Sequence, residues 1–250
     1  MIAVRRGPRR CTLGLAGGQH DEQLFAELRA VATATLAAQL RRHELDAAVL
    51  SGLTPLAPGQ KLVGRARTLR YLPFREDLAA AKGMGVQRSL IESLAPGDVL
   101  VIEARGVTDA GTIGDISALR ARERGAAGIV TDGALRDAAV IASFGLPVYF
   151  SGTNPAQPSR RHVPFESDVA VACAGVLVEP GDVLVGDDDG VVLLPAAAAA
   201  AIAADALAQE EEERFVAARV AEGESLLGLF PMGPEWRARY EASKERPPAR

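Results

Sequence analysis

The 250-residue sequence predicts an α/β protein with a mixed sheet, and three observations support this fold class. Strand-like apolar runs alternate with helical segments between residues 99 and 151, an order that favours parallel strand pairing. Between residues 169 and 194 strand-like runs follow one another through tight turns without a helix, which indicates antiparallel pairing. Aromatic residues make up only 4% of the chain, so Ala, Val, Leu and Ile must build the core.

The individual elements follow from hydrophobic spacing and from turn residues. The first is a helix over Asp21–Leu40, and the second is a strand over Leu62–Leu72 with a bulge at Gly64. The predicted elements that follow are a helix over Ala79–Leu94, a strand over Val99–Ala104, a helix over Asp115–Arg124, a strand over Gly128–Thr131, a helix over Leu135–Phe144, a strand over Pro147–Ser151, strands within Val169–Val178 and over Gly190–Leu194, and a helix over Ala196–Ala221.

A short repeat predicts two further turns. Ala95-Pro96-Gly97-Asp98 recurs as Glu179-Pro180-Gly181-Asp182, and Val-Leu-Val follows both copies. Proline at the second position and glycine at the third favour a type II turn, because glycine accepts the positive φ of that position. Each copy is therefore predicted to lead into a buried β-strand.

Composition narrows the function classes. The formal charge is −4, and the only basic cluster is four arginines between residues 5 and 10, which we interpret as a disordered leader rather than a nucleic-acid site. Two cysteines cannot form a disulfide framework, so a reduced, cytoplasmic protein is expected. The sequence has no long uninterrupted apolar run, so no membrane partner is expected. Three scattered histidines do not suggest a histidine metal site.

A glycine-bounded loop, Gly106–Asp115, follows one predicted strand and opens a helix. Backbone N–H groups at a helix N-terminus attract anions, so a carboxylate or phosphate could bind at Gly114, Asp115, Ile116 and Ser117. The alternative is a plain turn in which Asp115 caps the helix or lies in its first turn.

A second polar turn, Thr131–Asp137, places Arg136 beside Asp137 at the start of a predicted helix. Arginine offers a planar fork that suits a carboxylate, and aspartate is a hard oxygen ligand of the kind that Mg²⁺ prefers. The pair could therefore serve one anion and one metal ion. The alternative is a surface ion pair with a capping role.

Two acidic runs have simpler interpretations. Asp187–Asp189 lacks the terminal glutamate of an EF-hand, and we interpret it as a hairpin with Asp189-Gly190 as the turn pair. Glu210–Glu213 is interpreted as a solvated helix face.

Together these segments resemble a known family. The ordered motifs are Gly114-Asp115, the segment Gly125–Asp137, Gly145–Tyr149 and Pro180–Pro195. The chain resembles the RraA-like family over residues 28–223; this family includes 4-hydroxy-4-methyl-2-oxoglutarate aldolase and the regulator of ribonuclease E activity. The resemblance implies a layered α/β sandwich with a mixed sheet. It also implies a homotrimer or homohexamer with active sites at the subunit interfaces.

The resemblance also implies a function and roles for residues. The chain would be a divalent-metal-dependent lyase that cleaves a 4-hydroxy-2-keto acid to pyruvate, decarboxylates oxaloacetate, or does both through an enolate. Asp137 would bind Mg²⁺, Mn²⁺ or another divalent metal, and Arg136 would hold the keto acid and stabilise the enolate. The backbone of Gly114, Asp115, Ile116 and Ser117 would bind the substrate carboxylate, while Asp115 positions a water for proton transfer. Glu213 of a neighbouring subunit, with Glu212 as the rival, would complete the site.

Two other functions remain open. The family's non-catalytic regulators, which bind a ribonuclease or helicase, resemble this chain in the same Arg-Asp motif. A different lyase or hydratase acting on sugar acids could use the same pocket.

The expected organisation is a basic tail over residues 1–19, one domain over 20–230 and a polar extension over 231–250. The chain departs from the family pattern at Gly64–Thr68. The segment Ser151–Phe165 carries Arg160 and Arg161, which we predict to help attract an acidic substrate.

Overall fold

The computed structural model describes residues 17–244, which form eight α-helices and fourteen strands. The helices are α1 (Gly17–Arg29), α2 (Thr33–Arg42), α3 (Glu76–Lys82), α4 (Gly85–Ser93), α5 (Asp115–Glu123), α6 (Ala138–Ala142), α7 (Ala199–Ala221) and α8 (Pro234–Lys244). The strands are β1 (Val49–Leu50), β2 (Thr54–Pro55), β3 (Leu62–Pro73), β4 (Asp98–Glu103), β5 (Gly111–Ile113), β6 (Gly128–Thr131), β7 (Ala134–Leu135), β8 (Val148–Phe150), β9 (Gly152–Thr153), β10 (His162–Ser167), β11 (Val171–Cys173), β12 (Val176–Val178), β13 (Val183–Asp187) and β14 (Gly190–Leu194). The arginine-rich segment at residues 5–10, predicted to be disordered, lies outside the described residues.

The main sheet is mixed, as the sequence predicts. Its strand order is β1-β14-β13-β3-β4-β6-β8-β2, and β10 pairs with the second half of β3. The neighbours β3, β4, β6 and β8 run parallel to one another, whereas the remaining pairs are antiparallel. The parallel half corresponds to the alternating strand and helix segments, and the antiparallel half to the strands joined by tight turns.

The two faces of the sheet are covered differently. Val183 and Val185 pack with residues of α1, α2 and α7, and Leu100 and Ile102 pack with residues of α4, α5 and α6. Leu184, which lies between the two valines, packs with the β11–β12 hairpin. Successive side chains on a strand point to opposite faces of the sheet. Helices therefore cover one face of the sheet, and the small β11–β12 hairpin covers part of the opposite face.

The repeated turns form as predicted. Gly97 has φ +88° and Gly181 has φ +94°, the left-handed values that a type II turn requires. In both copies the aspartate N–H donates to the carbonyl three residues earlier, at 3.0 and 3.1 Å. The strands that these turns precede, β4 and β13, lie on either side of β3.

Glycine 64 is not a bulge, which corrects the sequence prediction. The β3–β13 register passes through Gly64 without a shift. A Cβ atom there would collide with the Gly97 carbonyl oxygen, which accepts a hydrogen bond from the Arg65 N–H at 2.9 Å. The glycine therefore allows a turn to approach the strand closely.

The single helix predicted over Asp21–Leu40 is wrong, because the chain breaks it into α1 and α2. Ala32 is extended, with φ −71° and ψ 147°. Both the amide and the hydroxyl of Thr33 donate to the Asp187 carboxylate, at 2.8 and 2.5 Å. A carboxylate from a distant hairpin thus caps α2, which no local pattern reveals.

Two other helix predictions are too long. The segment Ala79–Leu94 divides at Gly83, whose φ is +51°. The segment Leu135–Phe144 contains only the short α6, because Ala134–Leu135 forms a strand and Asp137 takes a left-handed conformation. Tertiary pairing overrides helix propensity in the second case.

The acidic runs serve structural contacts. The β13–β14 turn consists of Asp188 and Asp189, with Gly190 paired to Asp187, so the predicted turn pair is displaced by one residue. The Glu210 carboxylate accepts the Thr35 hydroxyl at 2.7 Å, so the interpretation of Glu210–Glu213 as a solvated face is wrong at this position.

The described part of the predicted polar extension contains the helix α8. Helix α8 packs on α7 through the Phe215 and Tyr240 rings, whose centroids are 5.3 Å apart. Arg237 Nη2 donates to the Glu212 carboxylate at 2.8 Å. None of the helices in residues 17–244 has both the length and the apolar character that crossing a membrane requires.

Candidate functional site

A small parallel sheet brings the two predicted motifs together. Strands β5, β7 and β9 pair in that order, and Ile113 lies opposite Leu135. Because β5 and β7 run in the same direction, the residues that follow them, Gly114 and Arg136, emerge at the same edge. The Arg136 N–H donates to the Ile113 carbonyl at 3.0 Å and closes this edge.

The edge opens into a cleft of about 330 Å³. The sequence-predicted residues that line it are Gly114, Asp115, Ile116, Ser117, Arg136 and Asp137. Two motifs that are 22 residues apart along the chain, counted from Gly114 to Arg136, therefore form walls of one site. Residues 157–159 close another side of it.

One wall is the N-terminus of α5, where the N-cap residue Gly114 has no side chain to cap the helix. Asp115 lies in the first turn, as one sequence alternative expects, and its carboxylate accepts the Ile116 N–H at 2.8 Å. Apart from the Ile116 N–H, which Asp115 already accepts, the first amides of α5 and the helix dipole attract a negative group.

Arg136 forms the second wall. The side chain is half-buried, and its Nε is buried without a hydrogen-bond partner in the described part of the chain. A Cβ atom at Gly111 would overlap the Arg136 side chain, so the Arg136 stem lies directly against the backbone of β5. A buried donor without an acceptor costs free energy unless a ligand supplies one.

Asp137 stands at the rim of the cleft with φ +56° and ψ 33°. This left-handed conformation is uncommon for residues other than glycine, although aspartate tolerates it better than most. The exposed Asp137 carboxylate does not cap α6. Its neighbour Arg136 has an Nε without a hydrogen-bond partner in the described residues. Residues 17–244 therefore do not show the alternative of a local ion pair with a capping role. Both groups remain available to a ligand.

The residues present fit a divalent cation held in an open site. Among residues 17–244 there is no group of three or more His, Cys, Asp or Glu side chains that could enclose a metal. Asp115 and Asp137 do line the same cleft. Two carboxylates match the requirements of Mg²⁺, which usually keeps several waters and takes only one or two protein oxygens.

Asp132, in the same turn as Arg136, holds the loop that leads into β5. Its carboxylate accepts the N–H groups of Ala104 and Gly106, at 2.5 and 2.9 Å. Burial raises the pKa of this carboxyl above its usual range, although both amide hydrogen bonds oppose that shift. Asp132 therefore fixes the loop before β5 and does not line the cleft.

Sequence reasoning missed the contribution of α4 to the cleft. Gln87 and Arg88 line it, and Gln87 is buried with its Nε2 donating to the Thr112 carbonyl at 3.0 Å. The helical pattern predicted this helix, but its packing on β5 depends on the tertiary fold.

The predicted glutamates lie elsewhere in this chain. Glu212 pairs with Arg237, and Glu213 accepts Gln209 Nε2 at 2.7 Å. Both line a separate cavity of about 760 Å³ between α2, α7 and α8. A single chain does not bring Glu213 to the cleft, so its role in a neighbouring subunit's site stays a prediction.

The arginines predicted to attract substrate are also outside the cleft lining. Arg161 Nε donates to Asp109 Oδ2 at 2.6 Å. Arg160 ends the short 3₁₀ helix Pro158–Arg160, whose first two residues line the cleft. Neighbouring residues of the same loop line the cleft and these two arginines do not, so their role in attracting a substrate stays a prediction.

Comparisons with known sequences agree on one group of proteins. A family model described as RraA-like, Aldolase/RraA, matches residues 33–193. A Halalkalibacterium halodurans protein named "Putative 4-hydroxy-4-methyl-2-oxoglutarate aldolase" is 33% identical over 137 residues, 55% of this chain and 61% of that protein. Protein DlpA of Legionella pneumophila is 29% identical over 148 residues, 58% of this chain and 24% of that protein. Each alignment spans less than two thirds of the curated relative.

Solved structures share the fold. Streptomyces coelicolor RraAS2, described as an unusual member of the RNase ES inhibitor RraA protein family, superposes with a TM-score of 0.72 at 39% identity, covering 77% of this chain and 94% of that one. An uncharacterised protein from Pseudomonas syringae pv. tomato gives 0.74 at 26% identity, covering 83% and 96%. These likenesses confirm the layered α/β fold with a mixed sheet.

Proposed function

Because the chain belongs to the RraA-like family, we propose that it is a divalent-metal-dependent lyase that acts on small 2-keto acids. The observation that carries this proposal is the cleft in which Arg136, with a buried and unpartnered Nε, lies beside Asp137 and the N-terminus of α5. A keto acid offers a carboxylate and a keto oxygen, the two acceptors that these groups lack.

Substrate binding places the carboxylate against the amides from Gly114 to Ser117. Arg136 then donates to the keto oxygen or to the carboxylate through its planar fork. The helix dipole favours the same orientation, since it presents positive charge to the anion. The substrate is thus held by groups that exist before it arrives, which lowers the cost of ordering it.

Retro-aldol cleavage begins with loss of the proton from the 4-hydroxyl group. The bond between C3 and C4 breaks, C4 becomes a carbonyl carbon, and the electron pair moves to C3 and the keto oxygen as the enolate of pyruvate. Arg136 stabilises the charge that develops on this oxygen. A divalent cation bound at Asp137, partly through water, would supply further positive charge to the enolate. No Schiff base forms, so no lysine is required.

Protonation of C3 completes pyruvate. Asp115 holds the water that delivers this proton, since its carboxylate lies in the cleft at the start of α5. Oxaloacetate would enter the same route, because loss of its C4 carboxylate as CO₂ leaves the same enolate.

The proton from the 4-hydroxyl needs an acceptor. We place Glu213 of a neighbouring subunit in that role, with Glu212 as the rival, in a homotrimer or homohexamer. The assignment is what the family resemblance implies; within one chain both glutamates line the separate cavity and not the cleft, so the role depends on assembly.

The test is a coupled assay for pyruvate release over a panel of 4-hydroxy-2-keto acids and oxaloacetate, with Mg²⁺ or Mn²⁺ and with a chelator. We expect metal-dependent turnover that Asp137→Asn abolishes. Asn keeps the tolerance for the left-handed conformation. Asp189→Asn, in the exposed β13–β14 turn, is the matched control and should retain turnover. Absence of turnover on the whole panel, with metal present, would reject the proposal.

A second candidate is a non-catalytic regulator of a ribonuclease or helicase. It is favoured by the 39% identity to Streptomyces coelicolor RraAS2, a member of an RNase ES inhibitor family. Titrating the chain into a ribonuclease ES cleavage assay tests it. Inhibition by both the wild type and Asp137→Asn, without keto-acid turnover, would favour the regulator.

A further inference from the structure

Arg88 is the second arginine of the cleft, and the proposed reaction gives it no task. We propose that Arg88 is a specificity-determining residue that binds a second carboxylate of the substrate, so that the cleft selects dicarboxylic over monocarboxylic 2-keto acids. This inference rests on the proposed function, because it concerns the far end of the same substrate.

The fold holds Arg88 at the cleft through its neighbour. Gln87 is 2% exposed, and its Nε2 donates to the Thr112 carbonyl at 3.0 Å. The Tyr71 hydroxyl donates to the same carbonyl at 2.9 Å. This buried contact fixes α4 against β5, and Gly114, the residue directly after β5, lines the cleft. The direction of Arg88, one residue further along the helix, is set by an interaction that a substrate does not disturb.

The Arg88 side chain has no charged partner among the described residues. It is exposed and forms no ion pair with any residue between 17 and 244. Its neighbours differ: Arg120 on α5 pairs with Glu92 of α4 at 2.6 Å, and Arg67 on β3 pairs with Asp168 at 2.8 Å. An unpaired guanidinium on a cleft wall is available to a ligand carboxylate, for which its planar fork is suited.

The two arginines approach the cleft from different elements. Arg136 follows β7 and lies beside the helix N-terminus that binds the keto-acid end, whereas Arg88 projects from α4. The two acids of the cleft lining act at the keto-acid end of the substrate in the proposed reaction: Asp115 holds a water and Asp137 binds the metal. The cleft volume of about 330 Å³ accommodates a five-carbon diacid. A carboxylate at the far end of such a substrate would meet Arg88.

The first experiment measures binding rather than turnover. Isothermal titration calorimetry in Mg²⁺ compares 2-oxoglutarate with 2-oxopentanoate, two five-carbon keto acids that differ by the second carboxylate and lack the 4-hydroxyl needed for cleavage. We expect the wild type to prefer 2-oxoglutarate. Arg88→Gln should weaken 2-oxoglutarate binding by about tenfold or more and reduce the preference, because a charge-assisted hydrogen bond is lost.

Two variants serve as references. Arg88→Lys keeps the charge and should recover part of the preference. Arg41→Gln, an exposed arginine of α2 outside the cleft, should retain the wild-type preference. Equal affinity of the wild type for the two keto acids, or the same preference in Arg88→Gln as in the wild type, would overturn the inference.

The second experiment separates this inference from the proposed function. It compares pyruvate release from 4-hydroxy-2-oxoglutarate and 4-hydroxy-2-oxopentanoate, and the readout is the ratio of the two kcat/KM values. Turnover of both with the same ratio in wild type and Arg88→Gln overturns the role of Arg88 and leaves the lyase intact. An Arg88-dependent binding preference without any turnover rejects the lyase and retains Arg88 as a dicarboxylate ligand.

Discussion

Gly114 and Asp137 lie so close that a Cβ atom at residue 114 would be 3.0 Å from Asp137 Oδ2. The φ of Gly114 is −116°, which any residue adopts, so glycine is needed here for space rather than for conformation. The start of α5 and the proposed metal ligand are therefore packed against each other across the cleft.

Gly114→Ala should reduce keto-acid turnover by about tenfold or more, since the new methyl group pushes the Asp137 carboxylate out of position. The stability should change by no more than about 0.5 kcal/mol. Paired measurements of kcat/KM and of urea unfolding check this. Gly85→Ala is the control, because a Cβ atom there meets nothing within 4 Å. Full activity of Gly114→Ala would contradict the assigned position of Asp137.

Arg136→Met should abolish turnover while leaving the free energy of unfolding unchanged or raised by about 1 kcal/mol. The reason is that Arg136 Nε is a buried donor without an acceptor, so its removal relieves a cost. Arg65→Met offers the contrast, because Arg65 pairs with Asp21 and donates to the Gly181 carbonyl at 2.8 Å, and this variant should destabilise. A large loss of stability in Arg136→Met would show that Arg136 is structural.

Asp187→Ala should lower the free energy of unfolding by about 2 kcal/mol, since the cap of α2 and its two hydrogen bonds from Thr33 disappear. Burial acts to raise the pKa of the Asp187 carboxyl, but the hydrogen bonds from Thr33 and from the Asp189 N–H, together with the nearby Lys61 charge, hold the pKa below its usual range. The contribution of this carboxylate is therefore present at neutral pH and is lost as the pH falls through the folded pKa. Chemical denaturation of Asp187→Ala against Asp189→Ala, in the same turn, checks the prediction. Equal stability of the two variants would contradict it.

His162 should make the protein less stable in mild acid. Burial, together with the nearby Arg105, lowers the pKa of His162 from 6.5 to about 4. Between those two values the unfolded chain binds a proton that the folded chain does not. The free energy of unfolding therefore decreases by up to about 1.4 kcal/mol for each unit by which the pH is lowered in this range.

His162→Gln should reduce this slope, because glutamine does not titrate. Glutamine can still accept a hydrogen bond from Arg105, whose Nη2 lies 3.1 Å from His162 Nδ1. The measurement is urea unfolding at several pH values between 4 and 7. His43→Gln, a surface variant, should keep the slope. An unaltered slope in His162→Gln would place the acid sensitivity elsewhere.

Local patterns alone identify much of the chain. Gly128–Thr131 forms the predicted strand residue for residue, and the repeated Pro-Gly-Asp turns have the expected left-handed glycines. These elements follow from dihedral preferences and hydrophobic spacing, which act within a few residues. The same is true of the start of α5 at Asp115.

The candidate site is only partly local. Local patterns identify Gly114, Asp115, Arg136 and Asp137 as chemically useful types, and the family resemblance assigns them to one site, but neither shows how the fold brings them into one cleft. That depends on the parallel pairing of β5 with β7, which also converts part of a predicted helix into a strand. Strand pairing joins residues far apart in the chain, so periodicity within a window cannot report it.

The sequence by itself determined the fold class, the main turns and the kinds of group that carry the chemistry. Only the tertiary structure decided where α2 begins, which arginines face the cleft and which are paired elsewhere. The physical reason is the same each time: a carboxylate, carbonyl or strand edge from a distant segment satisfies a polar group. Asp187 does this for Thr33 and the Thr112 carbonyl for Gln87.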